Sequence, residues 1–216
     1  MPVTLGLETN LASPVMSRLR DETAALHKLA ETKPFQVAMV RGLISRDQYT
    51  RWLGQMWTMH RELDTALRSA SERAEPIRQV VTPEQYQEPY LRQDLSHFGV
   101  APETVAASPG TAAFIERVRA IAAASPLDTL GVHYVLEGSK NGNRFIVRAV
   151  RKSLGLTPGQ GDRYLDTYGE AQPAKWAAFK TAMGRIPFTP REIDGLVAAA
   201  KAAFEGVIAM SDDMNT

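Results

Sequence analysis

A chain of 216 residues carries 25 Lys plus Arg against 24 Asp plus Glu and a formal charge of +1; its length fits one domain with a sizeable core, and the balance excludes the strong basic excess of a general nucleic-acid binder. It has no cysteine, which excludes disulfides, thiolate zinc sites, iron–sulfur clusters and a cysteine nucleophile. The opening residues MPVTLGLETNLASPV lack the basic start and apolar core of a signal peptide, and no apolar run approaches the roughly 18 residues of a membrane span, so we expect a soluble, cytoplasmic protein.

Helix signals then repeat from end to end. Ser13-Pro14 reads as an N-cap followed by proline at the first helical position, and Leu19, Thr23, Leu26 and Ala30 recur behind it at helical spacing. Pro34 ends that helix. Ser45-Arg46-Asp47-Gln48 reads as a capping box, opening a long apolar stripe of Tyr49, Trp52, Leu53, Met56, Trp57, His60, Leu63 and Leu67. Thr82-Pro83-Glu84-Gln85 is another start, broken or restarted at Pro89 and closed at Gly99. Phe114, Ile115, Val118 and Ile121 mark the next helix, and Ser125-Pro126 begins a segment running towards Leu154. Thr157-Pro158, Gln172-Pro173 and Thr189-Pro190-Arg191-Glu192 open three more, the last carrying Ile193, Leu196, Val197, Ala200 and Phe204. No stretch keeps the two-residue alternation of a strand. The chain reads as one all-α domain of about eight helices, with a flexible N-terminus at 1–12, the helical domain at 13–210 and a frayed tail at 211–216.

Reactivity without cysteine must come from histidine, carboxylates or a bound cofactor. His27 follows Leu26 on the first helix, and Glu31 lies one turn on, on the same side. Such a carboxylate can take the proton of one ring nitrogen and free the other to bind a metal; the same pattern also describes a half-buried histidine beside a solvent-facing glutamate. His60, on the aromatic stripe, reads as a packed core histidine, and His97 as a residue at a helix end. No Glu-x-x-His unit, Gly-x-Ser-x-Gly elbow, phosphate loop or dinucleotide fingerprint is present. In YVLEGSKNGNRF (134–145), Gly138 and Gly142 are four apart. In a helix they would make one bare face, each at a cost of about 1 kcal/mol relative to alanine, which invites close approach of another helix or a flat ligand. Asn141-Gly142 is equally a turn signal, and the stretch by itself leaves both readings open.

The two stretches together resemble the heme oxygenase family. LRDETAALHKLAETKPFQVAMVRGLISRDQY (19–49) is similar to that family's proximal region, with Thr23, His27, Glu31, Phe35, Gly42 and Tyr49 at matching spacing. GVHYVLEGSKNGNRFI (131–146) is similar to the distal helix of the bacterial, biliverdin-producing branch, and AMGRIPFTPREIDGLVAAAKAAF (182–204) is a fainter match. The resemblance implies a multi-helix fold in which the glycine stretch is a kinked helix whose backbone lies against heme b. It implies His27 as the axial ligand of the iron and Glu31 as the group that orients it. Arg20 and Lys180 match basic positions that meet the heme propionates, His133 falls near the heme edge, and Ser139 belongs with Gly138 and Gly142 to the surroundings of bound O2. The implied reaction uses heme as cofactor and substrate: O2 and electrons from a ferredoxin, flavodoxin or reductase open the ring to biliverdin and release carbon monoxide and iron. The resemblance implies neither a nucleic-acid nor a membrane partner. Asn143 stands where many relatives have a second consecutive glycine, and Lys140 and Asn141 replace residues that are often less polar. A heme carrier that keeps His27 without cleaving the ring is the alternative reading, and a helical relative of the thiamin-hydrolase type is opposed by the absence of cysteine.

Overall fold

A computed structural model describes residues 13–215. Among these the chain forms nine α-helices and no strand. Helix α1 (Pro14–Glu31) begins behind Ser13 with proline in its first turn and buries Val15, Met16, Leu19, Thr23 and Ala30. Helix α2 (Pro34–Arg41) follows at once, and Gly42 ends it at φ 64°. Helix α3 (Arg46–Arg73) starts on a complete capping box: the Gln48 amide N–H donates to Ser45 Oγ at 3.1 Å, and the Ser45 N–H donates to Gln48 Oε1 at 2.9 Å. It is the core helix, burying Tyr49, Trp52, Leu53, Met56, Trp57, Met59, Leu63 and Leu67, each such side chain contributing roughly 1.5–3 kcal/mol on leaving water. Helices α4 (Glu75–Val80), α5 (Glu88–His97) and α6 (Pro109–Ala124) fold back on it. Helices α7 (Thr129–Leu154), α8 (Gln172–Arg185) and α9 (Pro190–Asp213) complete the bundle, and α9 starts on a second capping box, Thr189 with Glu192. None of the described helices is long and apolar enough to cross a membrane.

The packing that positions the site centres on α9. Both α1 and α7 lie along it, while direct contact between α1 and α7 is slight. On α7 the approach is backbone to backbone: a Cβ on Gly131 would stand 2.1 Å from the Leu196 carbonyl oxygen of α9, a contact only glycine permits.

Four expectations change. Pro34 ends α1 but is also the first residue of α2, because proline fixes the φ a new helix needs and its missing N–H costs nothing there. Glu75–Val80 is a helix with no strong periodic signal, and Thr82–Gln85 opens only a single 3₁₀ turn at Pro83–Gln85 before α5 starts at Glu88. Thr157-Pro158 opens no helix. Residues 155–168 form a turn-rich loop, in which Gly161 sits at φ 81° with its Cα against His97 and Phe98, where a Cβ would stand 2.7 Å from the His97 ring. This loop is pinned rather than free. Asp94 accepts the backbone N–H groups of Arg163 and Tyr164, both at 2.8 Å, Tyr49 donates to the Gly161 carbonyl at 3.0 Å, and Asp162 pairs with Arg151. The tail expected to fray from residue 211 continues α9 to Asp213 and buries Met214. The N-terminal segment 1–12 lies outside the described residues.

Behind α7 is a polar interior. Lys140 Nζ donates to Glu137 Oε2 at 2.7 Å and to the Tyr168 hydroxyl at 3.1 Å, with both members of the pair almost fully buried. Burial lowers the Lys140 pKa, against the pull of Glu137. His60 shares a hydrogen bond of 3.0 Å with the Tyr164 hydroxyl, and burial drives its pKa well down, so the ring is neutral. Asp64 accepts the Glu88 N–H at 2.9 Å, and burial lifts its pKa from 3.8 to about 7, opposed by backbone N–H groups of Glu88 and Gln87 and by Arg68 and Lys140.

A buried pair is expensive to break. Lys140→Met leaves the Glu137 carboxylate uncompensated and is expected to cost about 3–5 kcal/mol, whereas Glu137→Leu with Lys140→Met recovers most of that loss. Urea unfolding midpoints check this, and equal losses in the single and double variants would contradict it. Asp64 gives a pH signature. Between 3.8 and about 7 the unfolded chain has released this proton while the fold still holds it, so its contribution to stability falls as pH rises through that window and is flat above it. The stability of Asp64→Asn relative to the unsubstituted protein should therefore grow across the window by on the order of 1–4 kcal/mol. A difference that stays constant with pH would contradict the assignment.

Candidate functional site

The glycine stretch is neither a turn nor a break. Helix α7 runs unbroken from Thr129 to Leu154, and neither Gly138 nor Gly142 has a positive φ. With a spacing of four, Tyr134, Gly138 and Gly142 share one face, which looks towards α1. The Tyr134 hydroxyl lies within electrostatic reach of Arg20 and Asp21; burial pushes its pKa up, Arg20 pulls it down and Asp21 pushes it up again. At the other end a Cβ on Gly42, just past α2, would meet the Ala149 carbonyl of α7 at 3.1 Å. These two contacts bracket the span between residues 20 and 42 and set it along residues 134–149. His27 lies within this span, on α1.

His27 is exposed on α1, with 58% of its side chain accessible. Its Nδ1 is 3.7 Å from Glu31 Oε1, ion-pair range but longer than a hydrogen bond. The ring stands edge-on to Phe204 of α9, with centroids 5.6 Å apart. Nε2 has no partner among the described residues. An exposed imidazole whose orientation is set by a ring and a carboxylate, with one nitrogen unused, is the arrangement a metal ligand needs. No group of three or more His, Asp or Glu side chains able to hold a metal occurs among the described residues. The donor set thus suits a metal that brings most of its own ligands, as the iron of heme does.

The opposite wall is bare at one place. A Cβ on Gly142 would meet nothing within 4 Å, whereas one on Gly138 would stand 3.3 Å from Trp176 Cη2. The two glycines, alike in sequence, therefore face different neighbours. Ser139 is exposed next to them, its hydroxyl donating to the Leu136 carbonyl at 2.7 Å. Asn141 Nδ2 donates to the Gly138 carbonyl at 2.9 Å, and Gln172 Nε2 of α8 donates to Asn141 Oδ1 at 3.2 Å. Of the departures from the family pattern, Asn141 is thus tied to the glycine stretch itself, whereas Asn143 is buried and Lys140 points into the polar interior, so neither of these two is on the open face.

Arg20 is exposed and paired with Asp21 at 2.7 Å, and Lys180 is exposed on α8 with no acidic partner among the described residues. His133 sits behind the open face rather than on it. It is 4% exposed, its Nε2 lies 3.1 Å from Gln85 Oε1, and its ring stands against Phe179; burial lowers its pKa to about 4, so it is neutral. Two residues of the cleft escaped the reading of candidate sites. Phe204 appeared only as part of an apolar stripe, and Trp176 gave no signal beyond standing one turn before Lys180. A broad open groove of about 590 Å³ along the start of α3, lined by Arg46, Gln55, Phe98 and Val105 among others, holds none of these residues.

The Heme oxygenase family model matches residues 13–213. Heme oxygenase 2 of Synechocystis sp. is 25% identical over 206 residues, covering 91% of this chain and 79% of its own. The crystal structure of heme oxygenase-2 from Synechocystis in complex with heme and NO shares the fold at a TM-score of 0.86, with 21% identity over 93% of this chain and 84% of that one. Heme oxygenase-1 from the same organism, in complex with heme, does so at a TM-score of 0.82, with 21% identity over 92% and 91%. With the family model matching nearly the whole described length, the chain belongs to the heme oxygenase family.

Proposed function

We propose that this chain is an enzyme that binds heme b in the cleft between α1 and α7 and opens it oxidatively to biliverdin, releasing carbon monoxide and ferrous iron. The observation that carries the reading is His27: an exposed imidazole with Nε2 unused among the described residues, set against Glu31 and Phe204. Bound heme supplies both the iron that activates O2 and the ring that is oxidised, so the protein's share is binding, orientation and proton supply. Ferredoxin, flavodoxin or a reductase is the electron donor in this reading.

Each side chain then has a definite task. His27 would hold the iron through Nε2, and Glu31 would accept a hydrogen bond from Nδ1–H once a small rotation closes the 3.7 Å gap, which would fix the ring plane and raise the basicity of the ligating nitrogen. Phe204 packs edge-on against the imidazole and keeps water from that side. Gly142 leaves room for a small ligand where any side chain would intrude. Ser139, whose hydroxyl is now satisfied within its own helix, reaches the oxygen side by rotation about χ1, a common alternative for a helical serine. Arg20 and Lys180 anchor the propionates. Exposed pairs of this kind contribute about 0–1 kcal/mol each, so they orient the ring more than they hold it.

Hemin titration, followed by a reductant in air, tests the reading. A Soret band that forms and then decays to the broad red absorption of biliverdin is the expected result. A Soret band stable to reductant in air identifies the carrier alternative, and no Soret band contradicts heme binding altogether. His27→Ala should remain helical but hold heme weakly in a high-spin state that imidazole partly restores; an unchanged spectrum removes His27 from the site. Gly142→Leu should keep the Soret band yet lose biliverdin formation, because leucine fills the open sector while favouring the helix by about 1 kcal/mol. Normal turnover in that variant would place the oxygen side elsewhere.

A further inference from the structure

Gly138 and Gly142 lie on the same face of α7, yet the neighbours they meet give that face a closed sector and an open one. The benzene edge of the Trp176 indole lies against Gly138, with Cη2, Cζ3 and Cζ2 at 3.3, 3.7 and 3.8 Å from where a Cβ would be, while the space over Gly142 is empty to 4 Å. The indole is not a loose surface group. It stacks on Phe179, with centroids 5.3 Å apart and planes 10° from parallel, and packs on Tyr134 at 5.8 Å. Phe179 is itself buried, against His133. One turn earlier on α8, Gln172 is bonded to Asn141 of the same α7 segment. Helix α8 therefore grips the glycine stretch at two points and holds a rigid plane over one of its two bare positions.

We propose that Trp176 is a specificity-determining residue of this enzyme, a wall that decides which meso edge of the heme is oxidised. The proposal rests on the heme-cleavage reading. A heme ring is nearly symmetric about its iron–histidine axis, so the protein must supply the asymmetry that selects one of its meso carbons. Arg20 and Lys180 would hold the ring only at its charged edge and through exposed, weak pairs. The indole acts on the other requirement, the direction in which a diatomic ligand on the iron can lean: away from Gly138 and towards the empty space at Gly142. Steric discrimination by a packed apolar wall is worth about 10–200-fold.

The test compares Trp176→Ala and Trp176→Phe with the unsubstituted protein, each loaded with heme, on two readings. One is the biliverdin isomer composition by chromatography. The other needs no turnover: the hyperfine-shifted heme-methyl resonances of the ferric cyanide complex, which report the lean of a bound diatomic. Trp176→Ala should still bind heme, shift the isomer ratio by about tenfold or more, equivalent to about 1.4 kcal/mol of lost discrimination, and change the methyl-shift pattern. Trp176→Phe, which keeps an aromatic plane on Phe179, should stay near the unsubstituted protein on both readings. A single unchanged isomer with an unchanged shift pattern in Trp176→Ala overturns the proposal. So does a folded Trp176→Ala that no longer binds heme, since the indole would then be an affinity contact. If Trp176→Ala does not fold, Trp176→Leu decides on the same two readings. If the unsubstituted protein binds heme but yields no biliverdin, the heme-cleavage reading fails, and the cyanide-complex pattern alone decides whether Trp176 directs the ligand.

Discussion

The site depends on the rotation of α7 about its own axis. This helix has two faces that cannot be exchanged: one carries Tyr134, Gly138 and Gly142 and looks across to α1, and the other buries Glu137 and Lys140. Turning the helix by one residue would bring a buried ion pair into the cleft and put glycines in the core. The buried pair fixes this rotation because leaving either charge unpaired away from water is costly. The backbone-to-backbone approach of Gly131 to the Leu196 carbonyl fixes the position of α7 along α9. With α7 held in rotation and translation on α9, and α1 lying on the same α9, His27 meets Phe204 while the glycine face of α7 turns towards α1.

This arrangement keeps the polar residues of the interior on the far side of α7 from its glycine face. Lys140 with Glu137 and Tyr168, His60 with Tyr164, and Asp64 with the Glu88 backbone N–H sit behind α7, away from its glycine face. Glu137 Oε1 and His60 Nδ1 remain buried without a protein partner, places where an ordered water completes such networks. The glycine face of α7 carries the Tyr134 hydroxyl and, beside it, Ser139 and Asn141, both bonded to carbonyls of their own helix.

Much of the fold was legible because its signals are local. The Ser45 and Thr189 capping boxes, the prolines in first turns and the long stripe from Tyr49 to Leu67 each announce a helix within a few residues. What was not legible depends on distant partners. The loop at 155–168 carries a Thr-Pro start identical to that of α9, but its glycines and the anchoring by Asp94, some seventy residues away in sequence, make it a turn. The site divides in the same way. His27 with Glu31, and Gly138 with Gly142, are spacings within single helices and could be read directly. Trp176 against Gly138, Phe204 against His27 and the burial of His133 beside Gln85 are contacts between helices, on which periodicity within one helix is silent. The glycine pair makes the point most sharply, since its two members are equivalent in the sequence and only α8 tells them apart.

The account's central claim is that the cleft between α1 and α7 receives heme, with His27 and the glycine segment as its two walls. Amide hydrogen exchange with and without hemin tests this most directly, because it maps contact along the whole chain without presuming a residue or a reaction. Slowed exchange confined to the part of α1 around His27, to the segment of α7 around Gly138 and Gly142, and to the turn of α9 at Phe204 is the predicted result, with the loop at 155–168 unchanged. Protection centred instead on the groove along the start of α3, around Arg46 and Gln55, or no change anywhere on adding hemin, would contradict it.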